Sequence, residues 1–177
     1  MAASRISRRH LLSGLAGLVV GGLLSGCGFK LRGTGLTQTA YQTVYLRFDS
    51  SMPIELQQAI TQRFQQAGVQ VLEASATAEL LIEFGSFKRD ISRTSRSATG
   101  QTTAELIRLT QAFKAYWMQD EQLILDTQTQ VMRDRQLDPS QLVAAERELN
   151  TIIQAMLKTL SGQVFDRVNR AYTRGQA

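Results

Sequence analysis

The chain has 177 residues, with 20 Lys and Arg against 15 Asp and Glu, which gives a formal net charge of +5. Its single histidine, His10, and its single cysteine, Cys27, both lie near the N-terminus. The sequence after Cys27 therefore has no imidazole and no thiol. This excludes Ser-His-Asp and Cys-His catalysis, zinc sites built from His or Cys, and disulfides in that part of the chain.

The N-terminal segment has the charge pattern of a secretory signal. Arg5, Arg8 and Arg9 precede an uncharged run from Leu11 to Leu24. This run is shorter than the roughly 20 apolar residues of a membrane span, but it fits the roughly 7–15 residues of a signal core. We expect residues 1–26 to be a lipoprotein signal peptide that is removed after export, by either the general or the twin-arginine route.

The string Leu24-Ser25-Gly26-Cys27 resembles the lipobox of bacterial lipoproteins. The resemblance implies that Cys27 is the site of lipid attachment, its thiol taking a diacylglycerol and its new amino group an acyl chain such as palmitate. Two or more chains anchor a protein stably to a membrane. Gly28 follows where an Asp commonly signals inner-membrane retention, so we expect the cell outer membrane, periplasmic side. The alternative is a plain signal anchor with an incidental cysteine.

Processing also changes the charge balance. Residues 1–26 contain three arginines and no acid, so 17 basic residues remain against 15 acidic ones, a net charge of +2. Nucleic-acid binding would need a strongly basic patch or stripe. We therefore expect no nucleic-acid partner.

The next segments predict a tether, a strand and a helix. Residues 27–40 are rich in Gly and Thr and are expected to form the acylated tether. Residues 41–49 alternate apolar and polar side chains, which is typical of a half-buried strand. Pro53 then begins a helix, with Ser50 or Ser51 as its cap and Gly68 just after its end. Residues 69–72 follow as a short extended piece.

Three long segments, at 78–93, 103–118 and 123–133, predict an antiparallel meander. They are joined by a Ser/Thr/Gly loop at 94–102 and a polar turn at 119–122. Gly85 is expected to mark a bulge or bend.

The C-terminal segment, 140–172, has one continuous apolar stripe and predicts a helix of about 50 Å at about 1.5 Å per residue. We expect a kink at Ser161-Gly162 or a projecting end.

The order β-α-β-β-β-α predicts an α+β fold of two layers. Two amphipathic helices would pack on one face of a four-stranded, mostly antiparallel sheet. A single domain is expected over 41–173, with a frayed tail at 174–177.

Arginines gather where the long strands end. Arg89, Arg93 and Arg96 close the 78–93 strand, while Arg133 and Arg135 close the 123–133 strand. Antiparallel pairing places both ends at the same edge of the sheet. Arginine binds phosphate through parallel hydrogen bonds, so we interpret this group as a site for a multiply phosphorylated, partly acylated ligand. The alternative is a set of solvated strand ends.

The acidic residues are scattered and suggest no paired-carboxylate site of the glycosidase type. We therefore expect no catalytic residues, no enzyme activity, no metal and no cofactor. A periplasmic hydrolase that uses carboxylates alone is the remaining enzymatic alternative.

The string Cys27-Gly28-Phe29-Lys30-Leu31-Arg32-Gly33 resembles the mature start of the LptE (RlpB) family of lipopolysaccharide-assembly lipoproteins. Two further strings are similar to that family: residues 100–105, GQTTAE, and the looser residues 131–133, VMR. The chain departs from the family at Gln130, where a lysine is expected, and Arg96 is the nearest counterpart of a basic residue before Gly100.

The resemblance implies a plug inside an LptD-type outer-membrane β-barrel, in a 1:1 complex that inserts lipopolysaccharide into the outer leaflet. It also implies help in assembling that barrel. Lipopolysaccharide is then the ligand expected at the arginines. The expected barrel-contact loop comprises Ser95, Ser97, Thr99, Gly100 and Gln101. The alternative is an accessory or pilotin-type lipoprotein of another envelope assembly or lipid-transport system.

Overall fold

The computed structural model describes residues 39–138 and 140–175. The predictions for the signal peptide, Cys27 and most of the tether lie outside the described residues. No helix within the described ranges combines the length and apolarity needed to cross a membrane.

The described chain contains five strands and two α-helices. In chain order they are β1 (Thr43–Arg47), α1 (Ile54–Gln66), β2 (Gln70–Leu72), β3 (Leu80–Arg96), β4 (Thr102–Trp117), β5 (Gln122–Gln136) and α2 (Leu142–Gly175), with a short 3₁₀ turn at Ser75–Thr77. The α+β class, the two helices and the meander of three long strands are confirmed.

The sheet differs from the prediction in strand number and direction. It has five strands in the order β2-β1-β3-β4-β5, and β1 runs parallel to both β2 and β3. Only the β3-β4 and β4-β5 pairs are antiparallel. The predicted four-stranded sheet was wrong because β2 is three residues long, too short to show alternation. A crossover through α1 then makes β1 and β2 parallel, as such crossovers do.

The ends of α1 match the predicted chemistry only in part. Gly68 has φ +82°, so it supplies the left-handed conformation expected just after the helix. The predicted serine cap was wrong, because Pro53 precedes the helix and no side chain caps it. Instead Ser51 donates its hydroxyl and backbone N–H to Asp49. Those hydrogen bonds hold the pKa of Asp49 below its usual value.

The core lies between the sheet and the two helices. Phe64 of α1 and Phe165 of α2 are fully buried and meet edge to face at 5.1 Å between ring centroids. Tyr41 packs beside them and donates its hydroxyl to Asn169 Oδ1 at 2.5 Å. Burial, together with nearby Tyr172, raises the pKa of Tyr41, so the phenol stays protonated as a donor.

Helix α2 runs without a break through Ser161 and Gly162. Residues 153–172 carry its buried stripe, whereas residues 143–151 are largely exposed. Two hydrogen bonds join the helix to β5: Arg167 Nη1 donates to Thr127 Oγ1 at 3.0 Å, and Thr129 donates to the Gln163 side chain. The exposed part of the helix therefore lies in its first turns, and the helix has no break at the position of the expected kink.

Candidate functional site

A bulge in β3 determines on which face of the sheet its arginines lie. Before the bulge, Leu80, Ile82 and Phe84 are buried against the helices. The register then shifts between Phe84 and Phe87, so that odd-numbered residues face the helix side beyond it. Arg89 and Arg93 consequently share a sheet face with the core, rather than the face opposite the helices. The prediction of a bulge at Gly85 is confirmed.

The side chain of Gln111 holds this bulge. It is fully buried, and its Nε2 donates to the carbonyls of Gly85 and Ala112 at 2.7 and 2.8 Å. In β3 itself, the backbone N–H of Phe87 donates to Ser51 Oγ at 3.3 Å. Three backbone groups at the bulge, the Gly85 and Ala112 carbonyls and the Phe87 N–H, are thus paired with side chains.

Arg135 is a structural residue of this region. Its Nε and Nη2 donate to Glu105 Oε2 at 3.0 and 2.9 Å, and its Nη1 donates to the Ala145 carbonyl at 2.7 Å. Only 7% of the Arg135 side chain and 17% of the Glu105 side chain are exposed. The guanidinium therefore joins β4, β5 and the first turns of α2, and three of its five N–H donors are hydrogen-bonded to protein.

The other four predicted arginines are exposed, and register brings three of them to one face. Arg93 lies opposite Glu105, Ile91 opposite Ile107, and Ile107 opposite Arg133. Directly opposed residues of antiparallel strands share a face, and adjacent strands lie about 4.8 Å apart. Arg96 lies near the end of β3, beyond two more register shifts. The structure thus places Arg89, Arg93 and Arg133 on the helix-side face and Arg96 beside the hairpin.

A groove of about 530 Å³ opens on this same face, between β3, the start of α1 and the middle of α2. Its lining combines apolar side chains with Arg89, a carboxylate and amides: Pro53, Glu55, Phe87, Arg89, Asn150, Ile153, Gln154 and Leu157. The arginine pattern in the sequence identifies Arg89 but none of these neighbours. In the sequence, the interruption of alternation at Gly85-Ser86 is the signal from which the position of Phe87 on this face could have been predicted.

The hairpin between β3 and β4 is tighter than predicted. Only residues 97–101 form the loop, because β3 continues to Arg96 and β4 begins at Thr102. Ser97 N donates to Gln101 O at 2.8 Å, and Gly100, at φ +83°, donates to Ser97 O at 2.9 Å. Ser97 and Thr99 also hydrogen-bond through their hydroxyls at 2.8 Å. Of the predicted contact residues, Ser95 belongs to β3, and Thr99, Gly100 and Gln101 are exposed.

No family model matches the sequence, and no curated protein matches it either. Within the described ranges no cluster of three or more His, Cys, Asp or Glu is placed to hold a metal ion.

Solved structures do share the fold. The rare lipoprotein B of Shewanella oneidensis is 14% identical, with a TM-score of 0.67 over 77% of this chain and 100% of that one. An uncharacterized lipoprotein B of Nitrosomonas europaea is 17% identical, with a TM-score of 0.69 over 83% and 93%. A minor lipoprotein of Acinetobacter baumannii is 15% identical, with a TM-score of 0.62 over 77% and 95%. The chain therefore has the fold of rare lipoprotein B, as the resemblance to the RlpB family led us to expect.

Proposed function

We propose that this chain, which has the fold of rare lipoprotein B, is an outer-membrane lipoprotein of the LptE kind. It plugs an LptD-type β-barrel in a 1:1 complex, assists the assembly of that barrel and takes part in inserting lipopolysaccharide into the outer leaflet. It does so without catalysis. The observation that carries the proposal is the fold likeness, which spans nearly the whole of three chains named as lipoproteins.

The sequence adds independent support for a lipid-anchored protein. The lipobox around Cys27 and the following GFKLRG string resemble the N-terminus of the LptE family. Both strings precede the described residues, so they are independent of the fold likeness. The two kinds of observation thus agree on the same class of protein.

The exposed arginines at this end of the sheet supply a binding chemistry that suits lipopolysaccharide. Arg89, Arg93, Arg96 and Arg133 are exposed cations, and guanidinium groups form strong paired hydrogen bonds with phosphate. The groove beside Arg89 adds Phe87, Ile153 and Leu157, which could contact acyl chains. Arg135 is left out of the proposed ligand set because its side chain is buried and Glu105 and Ala145 accept three of its N–H donors.

We expect the double substitution Arg93→Glu and Arg96→Glu to weaken lipopolysaccharide binding by about tenfold or more, because charge-assisted hydrogen bonds are lost and repulsion replaces them. Binding is measured by titrating the purified, lipidated protein in detergent. Both residues are exposed, so the domain should stay folded, which circular dichroism checks.

The matched control is Arg170→Glu with Arg174→Glu, which changes the charge equally on exposed residues of the last turns of α2. These residues lie at the other end of the sheet, since Gly175 contacts Trp117 at the end of β4. An equal loss of lipopolysaccharide affinity in both double variants would show that the effect comes from the change in net charge alone. Wild-type affinity in the first variant would reject the exposed arginines at this end of the sheet as the ligand site.

A further inference from the structure

One edge of β3 is open over the second half of the strand. β1 pairs with β3 only as far as Glu83, whereas β4 pairs with it to the end of the strand. Register shifts bound the open stretch, one just before Phe87 and the next just after Arg93. No described strand pairs with residues 88–93 on the side away from β4. An unpaired edge of this kind can pair with another extended chain.

One hydrogen bond identifies the backbone groups that point outward from this edge. Phe87 N donates to Ser51 Oγ, and Ser51 follows β1, the neighbour of β3 on the side away from β4. The N–H and C=O of a strand residue point to the same edge, and successive residues alternate between the two edges. The N–H and C=O groups of Arg89, Ile91 and Arg93 therefore also point away from β4.

The side chains of these three residues are two cations around one apolar group. Arg89 and Arg93 are exposed, Ile91 is 38% exposed, and all three lie on the helix-side face. Neither arginine forms an ion pair with a described residue. Glu105 lies opposite Arg93, but its carboxylate accepts two hydrogen bonds from Arg135. Both guanidinium groups are therefore available to an acidic partner.

We propose that the open edge of β3 binds an antiparallel strand of a protein partner, with the pattern acidic-x-apolar-x-acidic. Residues that point outward form hydrogen-bonded pairs with the residues directly opposite, and opposed side chains share a face. Acidic side chains then lie opposite Arg89 and Arg93, and the apolar side chain lies opposite Ile91. Backbone hydrogen bonds supply affinity in such strand addition, and the alternate side chains supply specificity.

A second copy of this chain does not supply such a strand. In the sequence, the only acidic residues with this spacing around an apolar residue are Glu79 and Glu83, which flank Leu81. Leu81 and Glu83 already pair with β1 on one side and with β4 on the other. The partner strand is therefore assigned to another protein.

The binding test uses the lipidated protein in a non-ionic detergent. The probe is fluorescein-Thr-Glu-Thr-Val-Thr-Glu-Thr-amide, and its fluorescence anisotropy is followed as protein is added. The same peptide with glutamine in place of both glutamates is titrated in parallel. We expect saturable binding of the glutamate peptide, and binding of the glutamine peptide that is about fivefold weaker, because two opposite-charge pairs across the strands are lost.

Methylation of single peptide nitrogens separates strand pairing from attraction between charges. A methyl group on the valine nitrogen removes the N–H that points to Ile91, so we expect binding to weaken by about tenfold or more. A methyl group on the nitrogen of the threonine that follows valine points away from β3. This matched peptide should bind within about twofold of the unmodified one.

Two protein variants with matched controls test the edge itself. Ile91→Pro removes an outward N–H but no hydrogen bond to β4, so it should abolish binding of the glutamate peptide while circular dichroism stays unchanged. Ile91→Val keeps the N–H and should bind normally. Arg89→Gln with Arg93→Gln should lower the affinity for the glutamate peptide to that for the glutamine peptide. The same change at two exposed arginines of α2, 170 and 174, should not.

The proposal is overturned if the glutamate peptide does not bind, if the glutamine peptide binds as tightly, or if the valine-methylated peptide binds as well as the threonine-methylated one. Arg89 and Arg93 also belong to the arginines proposed for lipopolysaccharide. Since the test uses no lipopolysaccharide and no barrel, its failure would leave the proposed function untouched.

Discussion

Replacing Phe64 by alanine is expected to lower the free energy of unfolding by about 3–5 kcal/mol, a large share of the about 5–15 kcal/mol typical of a domain. Phe64 is fully buried where α1, α2 and the sheet meet. Its ring contacts Phe165 at 5.1 Å and Tyr41 at 6.4 Å between centroids. Alanine would leave a cavity between three elements that cannot close without moving a helix.

Urea denaturation of residues 27–177 measures this effect as a lower midpoint at constant slope. Phe64→Leu keeps most of the volume and should cost less than about 1.5 kcal/mol. Phe48→Ala is a second control, since Phe48 is only half-buried and packs at the edge of the core on Phe84. A loss below about 1.5 kcal/mol for Phe64→Ala would contradict the described contact of α1 with α2.

Replacing Arg135 by alanine is expected to cost about 3–5 kcal/mol, because it leaves a largely buried carboxylate without its counter-charge. Glu105 would lose two hydrogen bonds, and the Ala145 carbonyl would lose one. The same denaturation experiment reports the loss. The exposed pair Arg47–Glu83, with side chains 51% and 38% exposed, is the control. Arg47→Ala should cost at most about 1 kcal/mol.

The double variant Arg135→Met with Glu105→Leu separates burial from charge. Removing both partners leaves no unpaired charge, so most of the stability lost in Arg135→Ala should return. If Arg135→Ala is as stable as the unchanged protein, Arg135 is not the structural residue described here. It would then return to the set of possible ligand arginines.

The long elements could be predicted from the sequence because each has enough residues to show its period. β4 alternates between buried and more exposed residues from Ile107 to Ala115, and α2 has an apolar stripe over many turns. β2, with three residues, has no period to detect, and its pairing with β1 follows from the path of the chain through α1. The number of strands and the direction of β1 were therefore not predicted, because a three-residue strand has no local signal and its pairing is determined by tertiary structure.

The candidate site was predicted as a group of arginines but not in its orientation. Alternation alone assigns Arg89 and Arg93 to a face, and one extra residue at Gly85-Ser86 reverses that assignment. The separation of Arg135 from the exposed arginines depends on Glu105, 30 residues away in sequence. Such a pairing follows from strand register, which the arginine pattern does not contain.

The most direct measurement of the proposed function is the identity of the protein that co-purifies with this chain. The chain with residues 1–26 included and a C-terminal affinity tag is extracted from isolated cell envelopes in mild detergent. We predict one large outer-membrane β-barrel in equal amount, with lipopolysaccharide in the same fraction. Elution of this chain alone, or with a secretin or components of another lipid-transport system, would contradict the proposed role as a plug of the lipopolysaccharide barrel.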